Sequence, residues 1–272
     1  MPPMATPDSF LCSYPKSGRT WMRFALVNLM NDVYRLGLEL DMDNMFALIP
    51  NDDGGPEEVF YSQPWKTLDK YRFADHEEMP FVGMSHLRWE EQFTGPQVVL
   101  LLRNPADVLV SLYYHMTRHA HQFEGTIDEF SRDDRFGIPR MVDYLASWAP
   151  HAADPNVEVL TYEELRAEPF LPFRRATEQL GIEATDDQLR AALEASSVEK
   201  MREVERASGV GQPNEYDKAD PQAMRVRKAK VGGWREELPP ETVAYMMECI
   251  TGSPEAAALL DRYGLTPEAA AA

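Results

Sequence analysis

The run Val98-Val99-Leu100-Leu101-Leu102 restricts the fold of this 272-residue chain more than any other segment. A strand has two faces, and both faces of this one are apolar, so both must be covered. Residues 97–102 are therefore predicted as a central strand of a parallel sheet. Asn104-Pro105 stops that strand and opens a helix. Asn104 suits the cap, Pro105 the first turn, and Asp107 the third helical position of a capping arrangement. This helix is predicted to run to about residue 119. Further strands are predicted at 9–13, 81–85 and 156–161. Helices are predicted at 20–33, 137–147, 169–181, 186–195, 240–250 and 254–263. Residues 37–70 and 209–220 read as irregular. With no repeat and no linker, the alternation of strands and helices predicts one three-layer α/β domain over 1–272, its ends frayed at 1–8 and 267–272.

Composition narrows the function. Hydrophobic residues make up 44% of the chain, enough for a core, and no stretch approaches the roughly 20 apolar residues of a membrane span. The formal net charge of −18 argues against nucleic acid as a partner. Cys12 and Cys249 give neither a disulfide framework nor metal-ligand spacing. With no signal-like N-terminus and no metal-ligand spacing, a cytoplasmic protein that needs no metal is expected.

Against that acidic background a local anion site stands out. Residues 9–13 read as a short strand, and Tyr14-Pro15-Lys16-Ser17-Gly18-Arg19-Thr20-Trp21 follows, turning directly into a helix. Amides at a helix start point outward, a lysine adds a full charge, and Gly18 lets the backbone close around an anion. This is not a Walker A loop, whose lysine directly follows a glycine and precedes a Ser/Thr that reaches Mg²⁺. A second anion site is expected at Arg103, at the C-terminal end of the central strand, with Ser111 two turns on. The basic run Arg227-Lys228-Ala229-Lys230, before Gly232-Gly233-Trp234, supplies a third.

In this order the three segments resemble the motifs of the sulfotransferases that use 3'-phosphoadenylyl sulfate (PAPS) as donor. Residues 14–21 are similar to that family's Tyr-Pro-Lys-Ser-Gly-Thr-Thr-Trp loop, departing at Arg19. Arg103-Asn104-Pro105-Ala106-Asp107 with Ser111 resembles its 3'-phosphate motif, and 227–234 its Arg-Lys-Gly-x-x-Gly-x-Trp segment, with Ala229 replacing a glycine. The resemblance implies a P-loop nucleoside triphosphate hydrolase-like sulfotransferase fold. It also implies sulfuryl transfer from PAPS to a hydroxyl, releasing adenosine 3',5'-bisphosphate. Lys16, His86 and Ser111 are then expected in catalysis. The donor would be held by Lys16, Ser17, Gly18, Arg19, Thr20, Trp21, Arg103, Ser111, Arg227, Lys228 and Ala229. Weaker likenesses add Tyr162, from Tyr-Glu-Glu-Leu, and Ser196, Val198 and Met201 at the adenosine. Trp21 or Trp65 offers further stacking surface. His86 resembles the family's histidine base, and Glu57, Glu58 or His115 would be the next bases to consider.

The acceptor is expected to be a hydroxyl-bearing small molecule, apolar if Met42, Met45, Phe46, Phe60, Trp65, Phe123, Phe130 and Phe136 line its pocket. A monomer or homodimer is expected. A small-molecule kinase and a non-catalytic nucleotide-binding module are the alternatives. The misplaced Walker lysine counts against the first, and turnover would exclude the second.

Overall fold

The computed structural model describes residues 7–51, 77–207, 220, 222–224 and 230–267. Four parallel strands, β1 (Ser9–Ser13), β2 (Val82–Ser85), β3 (Gln97–Leu102) and β4 (Val157–Thr161), form one sheet in the order β2-β1-β3-β4. The register pairs Cys12 with Ser85, Ser13 with Leu101, and Leu102 with Thr161. β3 is buried along Val98–Leu102, as its apolar run requires.

Helices cover both faces. Phe10, Cys12, Val98, Leu100 and Leu102 point into a core shared with α3 (Pro105–Tyr114), α5 (Ile138–Trp148), α10 (Pro240–Thr251) and α11 (Pro254–Arg262). Leu11, Val82, Met84, Val99, Leu101 and Leu160 point into the other, against α1 (Arg19–Val33), α2 (Met42–Leu48), α7 (Phe170–Gln179), α8 (Asp186–Ala195) and α9 (Val198–Ala207). The two-residue side-chain period of a strand divides the apolar residues between these cores. Met45, Phe46, Phe130 and Phe136, read from the sequence as pocket candidates, are core residues here. Residues 52–76, with Phe60 and Trp65, and most of 209–220 lie outside the described residues.

Three short helices correct the sequence reading. α2 stands in a stretch expected to be irregular, its first turn capped by Asp41, which accepts from the Asn44 amide. α4 (Ile127–Ser131) and α6 (Tyr162–Ala167) each begin with a capping box, Thr126 with Glu129 and Thr161 with Glu164. The helix expected to reach residue 119 is α-helical only to Tyr114. Residues His115–His119 then form a π-turn closed by the Ala120 amide on the His115 carbonyl at 2.8 Å. Among the described residues no helix is long and apolar enough to cross a membrane.

Candidate active site

Because all four strands are parallel, the residues that follow them emerge on one edge of the sheet. These are the 14–18 loop after β1, His86 after β2, Arg103 after β3 and Tyr162 after β4. The strand order reverses between β1 and β3, and an open parallel sheet binds ligands at the carboxyl ends beside such a switch point.

The loop is tight. The Ser17 amide donates to the Tyr14 carbonyl at 3.3 Å, and Lys16 lies in the left-handed region, with φ 69°. A non-glycine residue holds that conformation only where its surroundings enforce it. Gly18 caps α1 at φ 103°, and no side chain caps this helix. Its first-turn amides, Thr20 and Trp21 among them, are the outward-pointing donors of any helix start. A Cβ at Gly18 would come within 2.6 Å of Tyr162 Cδ2, so only glycine lets that ring close over the loop.

Arg103 connects the parts. Its Nη1 donates to the Lys16 carbonyl at 2.9 Å, and its guanidinium lies 4.3 Å from the centre of the Tyr162 ring. The second contact follows from register, since Leu102 pairs with Thr161 and the next residues stand side by side. Nη2 reaches the Lys230 carbonyl at 3.4 Å. Its Nε is buried and lacks a hydrogen-bond partner among the described residues. A buried charged donor without an acceptor is costly, and a phosphate oxygen would satisfy it. Arg103 Nε, the Gly18 cradle and the uncapped α1 start fit a donor carrying phosphate and phosphosulfate groups.

Asn104 caps α3 as expected, its Oδ1 accepting from the Ala106 amide at 3.0 Å. Asp107 has a different task from the capping expected of it. Its carboxylate accepts from the Gly232 amide at 2.6 Å and the Trp234 amide at 3.0 Å, anchoring the segment that follows the basic run. Ser111 is half-buried one turn after Asp107. Arg227, Lys228 and Ala229 lie outside the described residues.

His86 is 8% exposed, and its Nδ1 lies 2.6 Å from the Ser13 carbonyl oxygen. A carbonyl only accepts, so Nδ1 carries the hydrogen and Nε2 the lone pair of the neutral ring. Burial, with the positive charges of Arg19, Arg23 and Lys16, holds the imidazole well below its ordinary range, against the pull of the Ser13 carbonyl. The ring is thus neutral at pH 7.

On the far side of α1, the Trp21 indole donates to the Ser196 carbonyl at 2.8 Å. The Ser196 hydroxyl donates to the Ala192 carbonyl and accepts from Asn28, so it is occupied within the protein. Val198 is half-buried at the start of α9, and Met201 is buried in the core on the α1 face of the sheet. Trp21 thus brings Ser196 against α1, whereas the side chains of Ser196 and Met201 face inward. Among the described residues no group of three His, Cys, Asp or Glu side chains is placed to hold a metal ion.

The Sulfotransferase domain family model matches residues 6–259. The chain belongs to the sulfotransferase family. Its activity is transfer of a sulfuryl group from PAPS to an acceptor hydroxyl, not phosphoryl transfer by a kinase. The chain is 25% identical to cytosolic sulfotransferase 17 of Arabidopsis thaliana, over 87% of this chain and 71% of that protein. To the flavonol 3-sulfotransferase of Flaveria bidentis it is 24% identical, over 87% and 78%. The mouse sulfotransferase SULT7A1, solved in complex with PAP, superposes with a TM-score of 0.61 at 20% identity, over 94% of this chain and 89% of that one. Of the two departures from the motif pattern, Arg19 and Ala229, the first places a buried guanidinium at the start of α1.

Proposed function

We propose that this sulfotransferase binds PAPS across the C-terminal edge of the sheet, at the switch point between β1 and β3, and acts there as one domain of P-loop-like lineage. The join between Arg103 and the Lys16 carbonyl carries this reading, because it ties the 5'-phosphosulfate loop to the 3'-phosphate motif in one cradle. When bound, PAPS supplies the sulfuryl group and leaves as adenosine 3',5'-bisphosphate.

The protein's residues divide the work. Lys16, with Ser17, Gly18, Arg19, Thr20 and Trp21, surrounds the 5' end, where the lysine ammonium stabilises negative charge that develops on the leaving oxygen. Arg103 and Ser111, with Arg227, Lys228 and Ala229 from the basic run, take the 3'-phosphate. Tyr162 packs over Gly18 beside Arg103, on the side where the adenosine is expected. Of the weaker adenosine candidates, Val198 is the one whose side chain is neither core-buried nor bonded within the protein. His86 accepts the proton of the attacking hydroxyl at Nε2. A base held neutral by its surroundings is in its working form at neutral pH.

The acceptor in this reading is a small hydroxyl-bearing molecule. The likeness to a flavonol 3-sulfotransferase supports a phenol or a comparable alcohol. The test is a panel of phenols and aliphatic alcohols incubated with PAPS, with release of adenosine 3',5'-bisphosphate measured with and without EDTA. Release that depends on an added hydroxyl and survives EDTA supports the reading. Absence of hydroxyl-dependent release across the panel counts against it.

A further inference from the structure

The two residues that follow β4 hold the two residues that follow β3. Leu102 pairs with Thr161, so Arg103 stands beside Tyr162 and Asn104 beside Glu163. Tyr162 sets its ring 4.3 Å from the Arg103 guanidinium. Glu163 takes the next backbone amide, its Oε1 accepting from the Asn104 N–H at 3.0 Å. Its other oxygen, Oε2, is buried without a hydrogen-bond partner among the described residues. A carboxylate oxygen buried without a donor is costly. A negative charge at this corner also opposes a phosphate arriving at Arg103. The bond to the Asn104 amide therefore has to give the site something that outweighs both.

What it gives is direction. Asn104 is held at three points: its N–H on Glu163, its Oδ1 on the Ala106 amide at 3.0 Å, and its Nδ2 on the Leu265 carbonyl at 3.1 Å. The first of these lies on the peptide that joins Arg103 to Asn104. Glu163 is itself fixed, because the Thr161/Glu164 capping box sets the first turn of α6. A guanidinium is a planar fork whose donors point in fixed directions. The path of the peptide that carries it, with the ring it packs on, thus decides where Arg103 Nε is aimed.

We propose that Glu163 is a positioning residue for 3'-phosphate recognition: by holding the Asn104 amide, it aims Arg103 Nε at the phosphate. The proposal rests on the reading of Arg103 as a ligand of that phosphate. The effect belongs to the reach of the acceptor oxygen and not to its negative charge.

Two substitutions separate reach from charge. Glu163→Gln keeps an acceptor oxygen at the same distance from the backbone and removes the charge. Glu163→Asp keeps the charge and withdraws both oxygens by one methylene. Calorimetry measures adenosine 3',5'-bisphosphate and AMP on wild type, on both variants and on Arg103→Ala. Glu163→Asp is expected to weaken the bisphosphate about tenfold, and AMP about twofold or less. Glu163→Gln is expected to bind the bisphosphate as tightly as wild type or more tightly. If Glu163→Asp does not fold, Glu163→Ala, which loses reach and charge together, takes its place against Glu163→Gln. Unchanged bisphosphate affinity in the shortened variant overturns the proposal. Equal losses for the two ligands overturn it too, because they trace the effect to the scaffold. So does a loss in Glu163→Gln that matches the loss in Glu163→Asp, which traces the effect to charge. Arg103→Ala keeps the two readings apart. If it removes the preference for the bisphosphate and Glu163→Asp does not reduce that preference, Arg103 stands as the phosphate ligand and the role of Glu163 falls. If Arg103→Ala weakens both ligands equally, the reading of Arg103 fails, and the role of Glu163 falls with it.

Discussion

Arg103 Nη1 donates to the Lys16 carbonyl oxygen at 2.9 Å, so the residue after β3 holds the backbone of the loop after β1. One side chain thereby has two tasks, fixing the loop and offering its buried Nε to the ligand. Arg103→Ala is expected to weaken adenosine 3',5'-bisphosphate by about 2 kcal/mol or more, the scale of a lost charge-assisted contact. AMP, which lacks the 3'-phosphate, is expected to lose less, and only through the loosened loop. Calorimetry on the two ligands separates the tasks, and equal losses would assign Arg103 to the scaffold alone.

His86→Asn is expected to leave bisphosphate affinity unchanged and to lower single-turnover sulfation of an aliphatic alcohol about 10²-fold. A phenol, being more acidic, is expected to lose less. Because burial and Arg19 hold the His86 ring below its ordinary range, the acid limb of the wild-type rate is expected below pH 6.5.

The same shift carries a stability consequence with a definite sign. In the unfolded chain His86 takes up a proton as the pH falls through about 6.5, while the native ring resists it. Protons then favour the unfolded state. The contribution is fully present above pH 6.5 and is lost as the pH falls from there toward the native value. Denaturant melts at pH 7.5 and 5.5 are expected to show a smaller loss for His86→Asn than for wild type.

Gly18→Ala places a side chain at φ 103° and a Cβ 2.6 Å from Tyr162 Cδ2. The left-handed backbone alone costs about 1–2 kcal/mol, and the tyrosine must also move. A lowered melting midpoint together with weaker bisphosphate binding is expected. A variant with wild-type stability would show that the ring does not close over the loop.

Lys16→Ala is expected to reduce turnover roughly 10²- to 10³-fold, as for removal of one electrostatic contact to developing charge. Stability is expected to change little, since alanine meets the same left-handed backbone that lysine already occupies at φ 69°. Single-turnover rates in the folded variant decide whether the ammonium acts in the chemistry.

The sequence displays its long-range layout where local patterns are strong. The doubly apolar β3, the Asn104-Pro105 start of α3 and the glycine-ended loop before α1 all stand where their residues indicate. The Thr126/Glu129 and Thr161/Glu164 boxes were present as signals for α4 and α6, but these helices are too short for apolar periodicity to declare them. Other features depend on partners far away in the chain. Asp107 has the spacing of a local cap, yet its carboxylate binds amides 125 and 127 residues downstream. The tautomer of His86 is set by a carbonyl 73 residues upstream. The occupied hydroxyl of Ser196 depends on Asn28, 168 residues away. No window of sequence contains such pairs, which the parallel crossovers alone bring together.

The most direct test of the account is the nucleotide dependence of thermal stability in EDTA. Adenosine 3',5'-bisphosphate, AMP and ATP are compared at equal concentration. Binding to the native state alone stabilises by about 2.7 kcal/mol when ligand is at 100 times its Kd. The bisphosphate is expected to raise the melting midpoint by several degrees without Mg²⁺, and AMP and ATP by much less. Equal stabilisation by all three, or a response to ATP that appears only with Mg²⁺, would contradict a cradle built for the 3'-phosphate.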